Sequence, residues 1–243
     1  MAENGSGKNG PLYQVSLLQA LSLGDYTGSV TLAELKRHGD MAIGTFDGLD
    51  GEMIMVDGTV YRADSNCSIS IMDDGTTVPF ACTMFGSDSD PGKASAGSFG
   101  EFSERMACVL DEKGPNAPYF IRIEGLFERI TVRSIGKQDP PYRKLAEVML
   151  GQTVRTFEGM CGTAVGLYCP SYMGAMNYHG WHLHFVSEDR KVGGHVLDLG
   201  FSDLLYRLTR AGSVEVALPE TSRFQTLDLE EDQGSDIRRI EGN

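Results

Sequence analysis

The sequence predicts a sheet-dominated α/β protein, more closely an α+β fold in which mixed and antiparallel β-sheets form two subdomains with a few short helices. Most of the chain alternates apolar and polar residues over strand-length runs, such as EMIMVDGTVYRA and WHLHFV. Turn pairs that contain glycine separate these runs, and only short stretches carry helix start and stop signals. At 243 residues the chain is long enough to bury a sizeable core.

The N-terminal part of the chain begins with a polar stretch and then a short helix. Residues 1–11, which include MAENGSGKNG, predict a flexible tail. Thr31 predicts the N-cap of a helix, Glu34 completes a capping box, and Gly39 ends the helix. This helix is expected to be local scaffolding.

Antiparallel strands are predicted over residues 41–85, where short alternating runs follow one another. The Asp57-Gly58 and Asp74-Gly75 pairs predict hairpin turns between them. Residues 86–100 are rich in glycine, serine and aspartate and predict a loop. A second helix is predicted over residues 101–113.

The second half of the chain again predicts mostly β-structure. The pattern over residues 117–135 predicts one or two strands. The Pro140-Pro141 pair then interrupts the sheet, and a short helix is predicted near KLAEVML. Strand-length alternation then resumes from about residue 153 to residue 218. The proline pair is the best candidate boundary, which gives an N-terminal mixed-sheet subdomain, residues 12–140, and a C-terminal sheet subdomain, residues 141–243.

The charge balance excludes some classes of partner. The chain has 34 acidic and 21 basic residues and a net charge of −13. This charge repels phosphate backbones and anionic membrane surfaces, so neither a nucleic acid nor a membrane is an expected partner. A small-molecule substrate stays open, because one buried arginine or metal ion overrides the global field inside a cleft.

Cysteine usage and the N-terminus bear on the compartment. The five cysteines are odd in number and form no CxxC pair, which favours small buried hydrophobic residues over disulfides or a thiolate metal site. The N-terminus lacks the features of a signal peptide, and no stretch approaches transmembrane length. We expect a cytoplasmic protein, with export through a removed leader left open.

A cluster of histidines is the strongest chemical signal. Three of the five histidines lie within GWHLHFVSEDRKVGGHVLDL, where the alternation WHLHFV predicts a strand. Residues two apart in a strand share a face, so His182 and His184 point the same way. A regular hairpin that turns at Asp189 and Arg190 places His195 opposite His184. Cross-strand neighbours have Cβ atoms about 4.5–5.5 Å apart, so the three imidazoles can converge on one metal ion.

Three neutral imidazoles without a protein thiolate predict an open, catalytic type of metal site. Zinc is the default ion, although imidazole also suits iron, copper, nickel and manganese. The residues alone therefore leave several classes open: a cupin-like metal oxygenase or isomerase, a metal-stabilised binding domain without enzymatic activity, or a sheet domain of the kind that accompanies DNA-binding tails. The negative charge counts against the last of these.

Longer motifs narrow this choice, because the chain resembles the α-acetolactate decarboxylase family along nearly its whole length. The resemblance rests on YQVSLLQALSLGDYTG, GTFDGLDGEMIMVDGTVYRA and HLHFVSEDRKVGGHVLD. It implies that 2-acetolactate loses carbon dioxide to give acetoin, with a zinc ion that polarises the ketone and hydroxyl oxygens of the substrate and stabilises an enediolate. It also implies a homodimer.

The family's functional positions can be carried over to this chain residue by residue. The implied zinc ligands are His182, His184 and His195. The implied catalytic residues are Glu52 in LDGE, Thr45 in GTFDG, Arg133 in ERITVRSI and Glu241 in IRRIEGN. On this resemblance we expect Arg133 to hold the substrate carboxylate and Glu52 to deliver a proton.

Overall fold

Two β-sheets pack against each other in the computed structural model, which describes residues 10–86, 91–174 and 176–230. In chain order the strands are β1 (Pro11–Val15), β2 (Val30–Thr31), β3 (Met41–Thr45), β4 (Glu52–Val56), β5 (Thr59–Ala63), β6 (Ile69–Ile71), β7 (Thr77–Val78), β8 (Phe80–Met84), β9 (Gly92–Ala96), β10 (Tyr119–Ser134), β11 (Thr153–Cys169), β12 (Gly180–Ser187), β13 (Gly193–Arg210) and β14 (Ser213–Ala217). The helices are α1 (Leu18–Ser22), α2 (Leu32–Leu35), α3 (Phe99–Lys113), α4 (Leu145–Val148) and α5 (Ser222–Gln225), with 3-10 turns at Met149–Gly151 and Ser171–Met173.

The first sheet is mixed and has the strand order β14-β1-β8-β3-β4-β5-β6. Its neighbours pair antiparallel except β1 and β14, which pair parallel. The second sheet has the order β10-β11-β12-β13-β9 and is antiparallel, and β10 also pairs with β13. These pairings join β10, β11, β12 and β13 in a closed ring. The predicted sheet-dominated fold with mixed and antiparallel sheets is confirmed.

The predicted boundary at residue 140 does not follow the sheets. Strand β10 lies before this residue and β11 lies after it, yet they pair from Tyr119 opposite Tyr168 to Ser134 opposite Thr153. In the other direction, β14 returns from the C-terminal part to the edge of the first sheet. The physical reason is that each sheet draws strands from both sides of the proline pair.

Local turn and cap signals were mostly reliable. Thr31 caps α2, since its hydroxyl accepts a hydrogen bond from the Glu34 amide at 3.3 Å. The turn at Asp57 and Gly58 joins β4 to β5, with both residues at positive φ as a tight hairpin turn requires. The predicted hairpin at Asp74-Gly75 is wrong, because β6 pairs with β5 whereas β7 pairs with β2.

Other differences concern residues 86–100, the cysteines and the tail. Strand β9 lies within the predicted loop and pairs with β13, and α3 begins at Phe99 behind the cap Ser98. Cys108 and Cys161 are exposed, so only the remaining three cysteines are the buried residues that were predicted. Pro11 of the predicted tail is already in β1, and residues 1–9 lie outside the described ranges. No described helix is long and apolar enough to cross a membrane.

The core has three parts. One lies between the two sheets and joins side chains such as Ile54 of the first sheet to Val165 of the second. A second packs α3 against the second sheet, and a third covers the other face of the first sheet with α2. The site described below opens at the junction between the two sheets, so both sheets must form for it to exist.

The aromatic cluster inside the second sheet gives a test of this packing. Phe127 is fully buried and lies edge-on to Phe185 and Phe201, with ring centroids 5.2 and 5.7 Å away. We expect Phe127→Ala to lower the free energy of unfolding by about 3–5 kcal/mol, because it removes apolar contacts and leaves a cavity. Urea denaturation measures this loss.

The neighbouring Leu126 is the matched control, since its side chain is 48% exposed. We expect Leu126→Ala to change the free energy of unfolding by no more than about 0.5 kcal/mol. Equal losses for the two variants would contradict the described packing.

Candidate metal centre and pocket

Strand pairing brings three histidines together. His182 and His184 lie on one face of β12 because they are two residues apart. The β12–β13 hairpin places His195 opposite His184, which confirms the predicted register. All three imidazoles are buried, with at most 6% of each residue exposed.

The ring nitrogens lie close enough to share one ion. Nε2 of His182 is 3.0 Å from Nε2 of His184 and 3.0 Å from Nδ1 of His195. Two nitrogens bound to one tetrahedral zinc at about 2.0–2.1 Å are roughly 3.3–3.4 Å apart, so the observed spacing needs only a small adjustment. Metal ions in proteins are commonly bound by histidine, cysteine, aspartate and glutamate. Within the described ranges, these three histidines are the one group of at least three such residues whose ligand atoms all lie within 4.8 Å of one another.

Burial favours the neutral form of two of these histidines. It lowers the pKa of His182 from its ordinary value to about 3, with a further contribution from the charge of Arg133. The pKa of His195 also lies well below its ordinary value, chiefly because of burial and then because of Arg133. Neutral imidazoles present the lone pairs that a metal ion binds, whereas protonated rings would repel it.

One contact fixes the orientation of a ring. Nδ1 of His184 lies 2.7 Å from the backbone carbonyl oxygen of Met53 on β4. A carbonyl only accepts, so Nδ1 carries the proton and Nε2 presents its lone pair to the cluster. Nε2 of His182 carries either one proton or one lone pair in the ring plane, so it cannot form a hydrogen bond with both of its nitrogen neighbours at once. A cation among the three rings could instead accept a lone pair from each of them. The donor set therefore fits a divalent metal ion.

A carboxylate from the first sheet reaches the same cluster. Glu52 begins β4, and its Oε2 lies 3.6 Å from Nε2 of His184. Thr45 pairs with Glu52 across β3 and β4, and its hydroxyl donates to the Gly51 carbonyl at 2.7 Å. Asp50 in the same turn accepts a 2.6 Å hydrogen bond from Arg62. These contacts hold the turn that leads into Glu52.

A guanidinium group also contacts the cluster. Arg133 on β10 pairs with His195 on β13, and its Nη2 lies 3.3 Å from Nε2 of that histidine. Its Nη1 donates to Oε1 of Gln152 at 3.4 Å. Arg133 is only 3% exposed. A buried guanidinium of this kind is suited to pair with the carboxylate of a small substrate.

These polar groups line one narrow pocket between the two sheets. The pocket brings together six of the seven predicted site residues; Glu241 lies outside the described ranges. It also has an apolar wall that the sequence analysis missed. The wall residues are Leu18, Leu21, Leu145 and Met149.

The spacing of these apolar residues in the sequence was the one feature that could have indicated that they are buried. Leu18 and Leu21 are three apart, and Leu145 and Met149 are four apart, so each pair lies on one face of a helical turn. A helix pattern shows that such a face is buried but does not show what it faces. Their place in the pocket follows from the packing of α1 and α4 against the sheets.

The fold and the pocket first define a class: a two-sheet protein whose buried imidazoles are suited to hold a metal ion beside a small-molecule cavity. The chain belongs to the alpha-acetolactate decarboxylase family, whose model matches residues 12–231. Among relatives that carry this name, it is 35% identical to the Brevibacillus brevis protein over 99% of this chain and 84% of that protein. It is also 35% identical to the Methanosarcina mazei protein, over 95% of this chain and 80% of the relative.

A solved structure of a family member has the same fold as this chain. The crystal structure of alpha-acetolactate decarboxylase from Bacillus subtilis strain 168 matches with a TM-score of 0.91 and 33% sequence identity. The match covers 96% of this chain and 100% of that chain. The resemblance drawn from the motifs is therefore confirmed.

Metal binding tests the histidine cluster directly. We expect the chelator-treated protein to bind one zinc ion per chain in isothermal titration calorimetry, and His182→Ala to abolish this binding because the remaining two imidazoles form an incomplete site. His179 is exposed and lies outside the cluster, so His179→Ala is the matched control and keeps the binding. Unchanged affinity in His182→Ala would rule out the cluster as the metal site.

Proposed function

We propose that this protein decarboxylates 2-acetolactate to acetoin and carbon dioxide, with a zinc ion held by His182, His184 and His195. The observation that carries the proposal is one pocket that is lined by the imidazole cluster, a buried guanidinium and a carboxylate. Membership of the alpha-acetolactate decarboxylase family supports the choice of substrate.

The chemistry of the substrate sets what the pocket must provide. In 2-acetolactate one carbon carries a carboxylate and a hydroxyl, and the next carbon is a ketone. When the carbon–carbon bond to the carboxylate breaks, carbon dioxide leaves and the electron pair passes towards the ketone. A divalent cation bound at the imidazoles would supply Lewis-acid stabilisation of that negative charge. One proton must then reach the carbon that lost the carboxylate.

Arg133 binds and orients the carboxylate in this proposal. Its guanidinium offers paired donors that match the two carboxylate oxygens. Holding the carboxylate fixes the bond that breaks, so that its electrons overlap with the ketone. The contact with Gln152 limits the positions that the guanidinium can take.

Glu52 delivers the proton in this proposal. The 3.6 Å distance between its Oε2 and Nε2 of His184 supports this role, because a substrate bound at the cluster would lie within its reach. A positioned carboxylic acid adds its proton from one face only, so the product has one handedness. Thr45 holds the turn before Glu52 through its hydrogen bond to Gly51. Glu241 assists at the site in this proposal.

The homodimer that the family resemblance implies is part of the proposal, and light scattering reports it directly. The proposal also includes the identity of the metal, which is zinc. Zinc is the ion that three neutral imidazoles most commonly hold in an open site.

Product analysis tests the reaction. We expect purified protein to convert racemic 2-acetolactate to acetoin, to lose this activity after chelation, and to regain it with zinc, because the cation stabilises the charge left by decarboxylation. Acetoin is measured by gas chromatography. An inactive metal-loaded protein would contradict the proposal, and oxygen uptake would then favour an oxygenase.

The role of Glu52 has a separate test. We expect Glu52→Gln to lower kcat by about 10²–10⁴-fold with little change in KM, because the amide cannot deliver the proton. The handedness of the acetoin should also be lost. Glu128 is an exposed glutamate of β10, and Glu128→Gln is the matched control. Normal turnover and stereochemistry in Glu52→Gln would exclude this role.

The role of Arg133 predicts a different kinetic change. We expect Arg133→Gln to lower kcat/KM by roughly 30- to 5,000-fold, which corresponds to about 2–5 kcal/mol for a buried charge contact. Arg133→Lys should recover only part of this loss, because lysine lacks the paired donors. The exposed Arg155 provides the control Arg155→Gln. A kcat/KM within threefold of wild type for Arg133→Gln would be incompatible with carboxylate binding.

A further inference from the structure

The pocket has two chemically different sides. The imidazoles, Arg133 and Glu52 form one side. The rest of the lining is mostly apolar. Leu49, Phe80 and Ile135 contribute to it, and so do α1 and the segment that contains α4 and the 3-10 turn after it. We call the four lining residues of α1 and this segment the apolar wall, and each is at most 8% exposed. Its members are Leu18, Leu21, Leu145 and Met149.

The proposed substrate must divide its groups between these two sides. Its carboxylate, hydroxyl and ketone oxygens all need charged or metal-binding partners, and those partners lie on the polar side. Its alkyl groups gain free energy by leaving water for an apolar surface, so they face the apolar wall. The wall is therefore the part of the pocket that senses the size of an alkyl group.

The position of Met149 indicates which alkyl group of the substrate the apolar wall contacts. Met149 lies three residues before Gln152, whose Oε1 accepts the hydrogen bond from Arg133. The backbone N–H of Gln152 also donates to the Met149 carbonyl at 3.2 Å, so this end of the wall adjoins the residue that contacts the guanidinium. The alkyl group on the carbon that bears the carboxylate is the one that this end of the wall meets.

We propose that Met149 is a specificity-determining residue, which sets the largest alkyl group that the pocket accepts on the carbon bearing the carboxylate. This inference rests on the proposed decarboxylation. Methionine is unbranched and adapts its shape, so it can close the pocket around a methyl group and yield in part to a larger one. Met149 is at the margin of the wall, because the next residue, Leu150, is 87% exposed.

The test compares substrates that differ only in this alkyl group. The probes are 2-hydroxy-3-oxobutanoates with a methyl, ethyl or propyl group on the carbon bearing the carboxylate. The readout is the ratio of kcat/KM for the ethyl compound to that for the methyl compound. A ratio cancels a general loss of activity, so a merely structural effect of the substitution does not move it.

We expect Met149→Ala to raise this ratio by about 10–200-fold, the range that one methylene commands in an apolar pocket. Met149→Phe should lower the ratio, because the larger ring fills the space. Met149→Leu conserves volume and should keep the ratio within about threefold of wild type. Leu150→Ala is the matched control and should leave the ratio unchanged, since its side chain faces solvent.

The outcomes separate this inference from the function on which it rests. If the wild type does not decarboxylate the methyl compound, the proposed function fails, and this inference fails with it. If the wild type is active but neither Met149→Ala nor Met149→Phe moves the ratio, only the role of Met149 is overturned. A shift of equal size in Leu150→Ala would also overturn it. Thermal denaturation shows which variants are folded, and Met149→Phe and Met149→Leu test the role even if Met149→Ala does not fold.

Discussion

Nδ1 of His184 donates a 2.7 Å hydrogen bond to the Met53 carbonyl, and this contact crosses from the second sheet to the first. Because the carbonyl can only accept, the contact fixes which nitrogen of His184 faces the cluster. It also fixes the distance between the strands that carry Glu52 and the histidines, since Met53 directly follows Glu52 on β4. A hydrogen bond to the outer nitrogen of a ligand ring is a general means of orienting metal-binding histidines. The arrangement of the site therefore depends on how the two sheets pack.

Close approach of two strands within the second sheet also shapes the site. Gly194 immediately precedes His195 and has a positive φ of 154°, and a Cβ there would lie 2.4 Å from the Arg133 carbonyl oxygen. A side chain at this position would push β13 away from β10 and separate His195 from Arg133. The glycine thus keeps the guanidinium beside the imidazoles. Burial then lowers the pKa values of His182 and His195, so the geometry of the strands also favours the neutral forms of these two imidazoles.

Local signals predicted the histidine cluster because its geometry is local. The turn at residues 189 and 190 sets the register of β12 and β13, and strand alternation sets the face. The positions of Glu52 and Arg133 depend on contacts between distant strands, which no periodicity shows; the family resemblance supplied both. Residues 86–100 predicted a loop because they are rich in glycine, serine and aspartate, and β9 within them is a strand because β13 pairs with it. Each sheet draws strands from both halves of the chain, so the proline pair was a poor guide to how the sheets divide.

The central claim is that the imidazole cluster and Arg133 hold one substrate together at the junction between the two sheets. A crystal structure of the zinc-loaded protein tests it most directly, with data collected at the zinc absorption edge. The bound ligand would be an analogue of 2-acetolactate whose ketone is a hydroxyl group, because this compound keeps the oxygens but cannot decarboxylate. The account predicts an anomalous peak among His182, His184 and His195, with the carboxylate paired to Arg133 and the alkyl groups against the apolar wall. A zinc ion bound elsewhere, or a carboxylate directed away from Arg133, would contradict it.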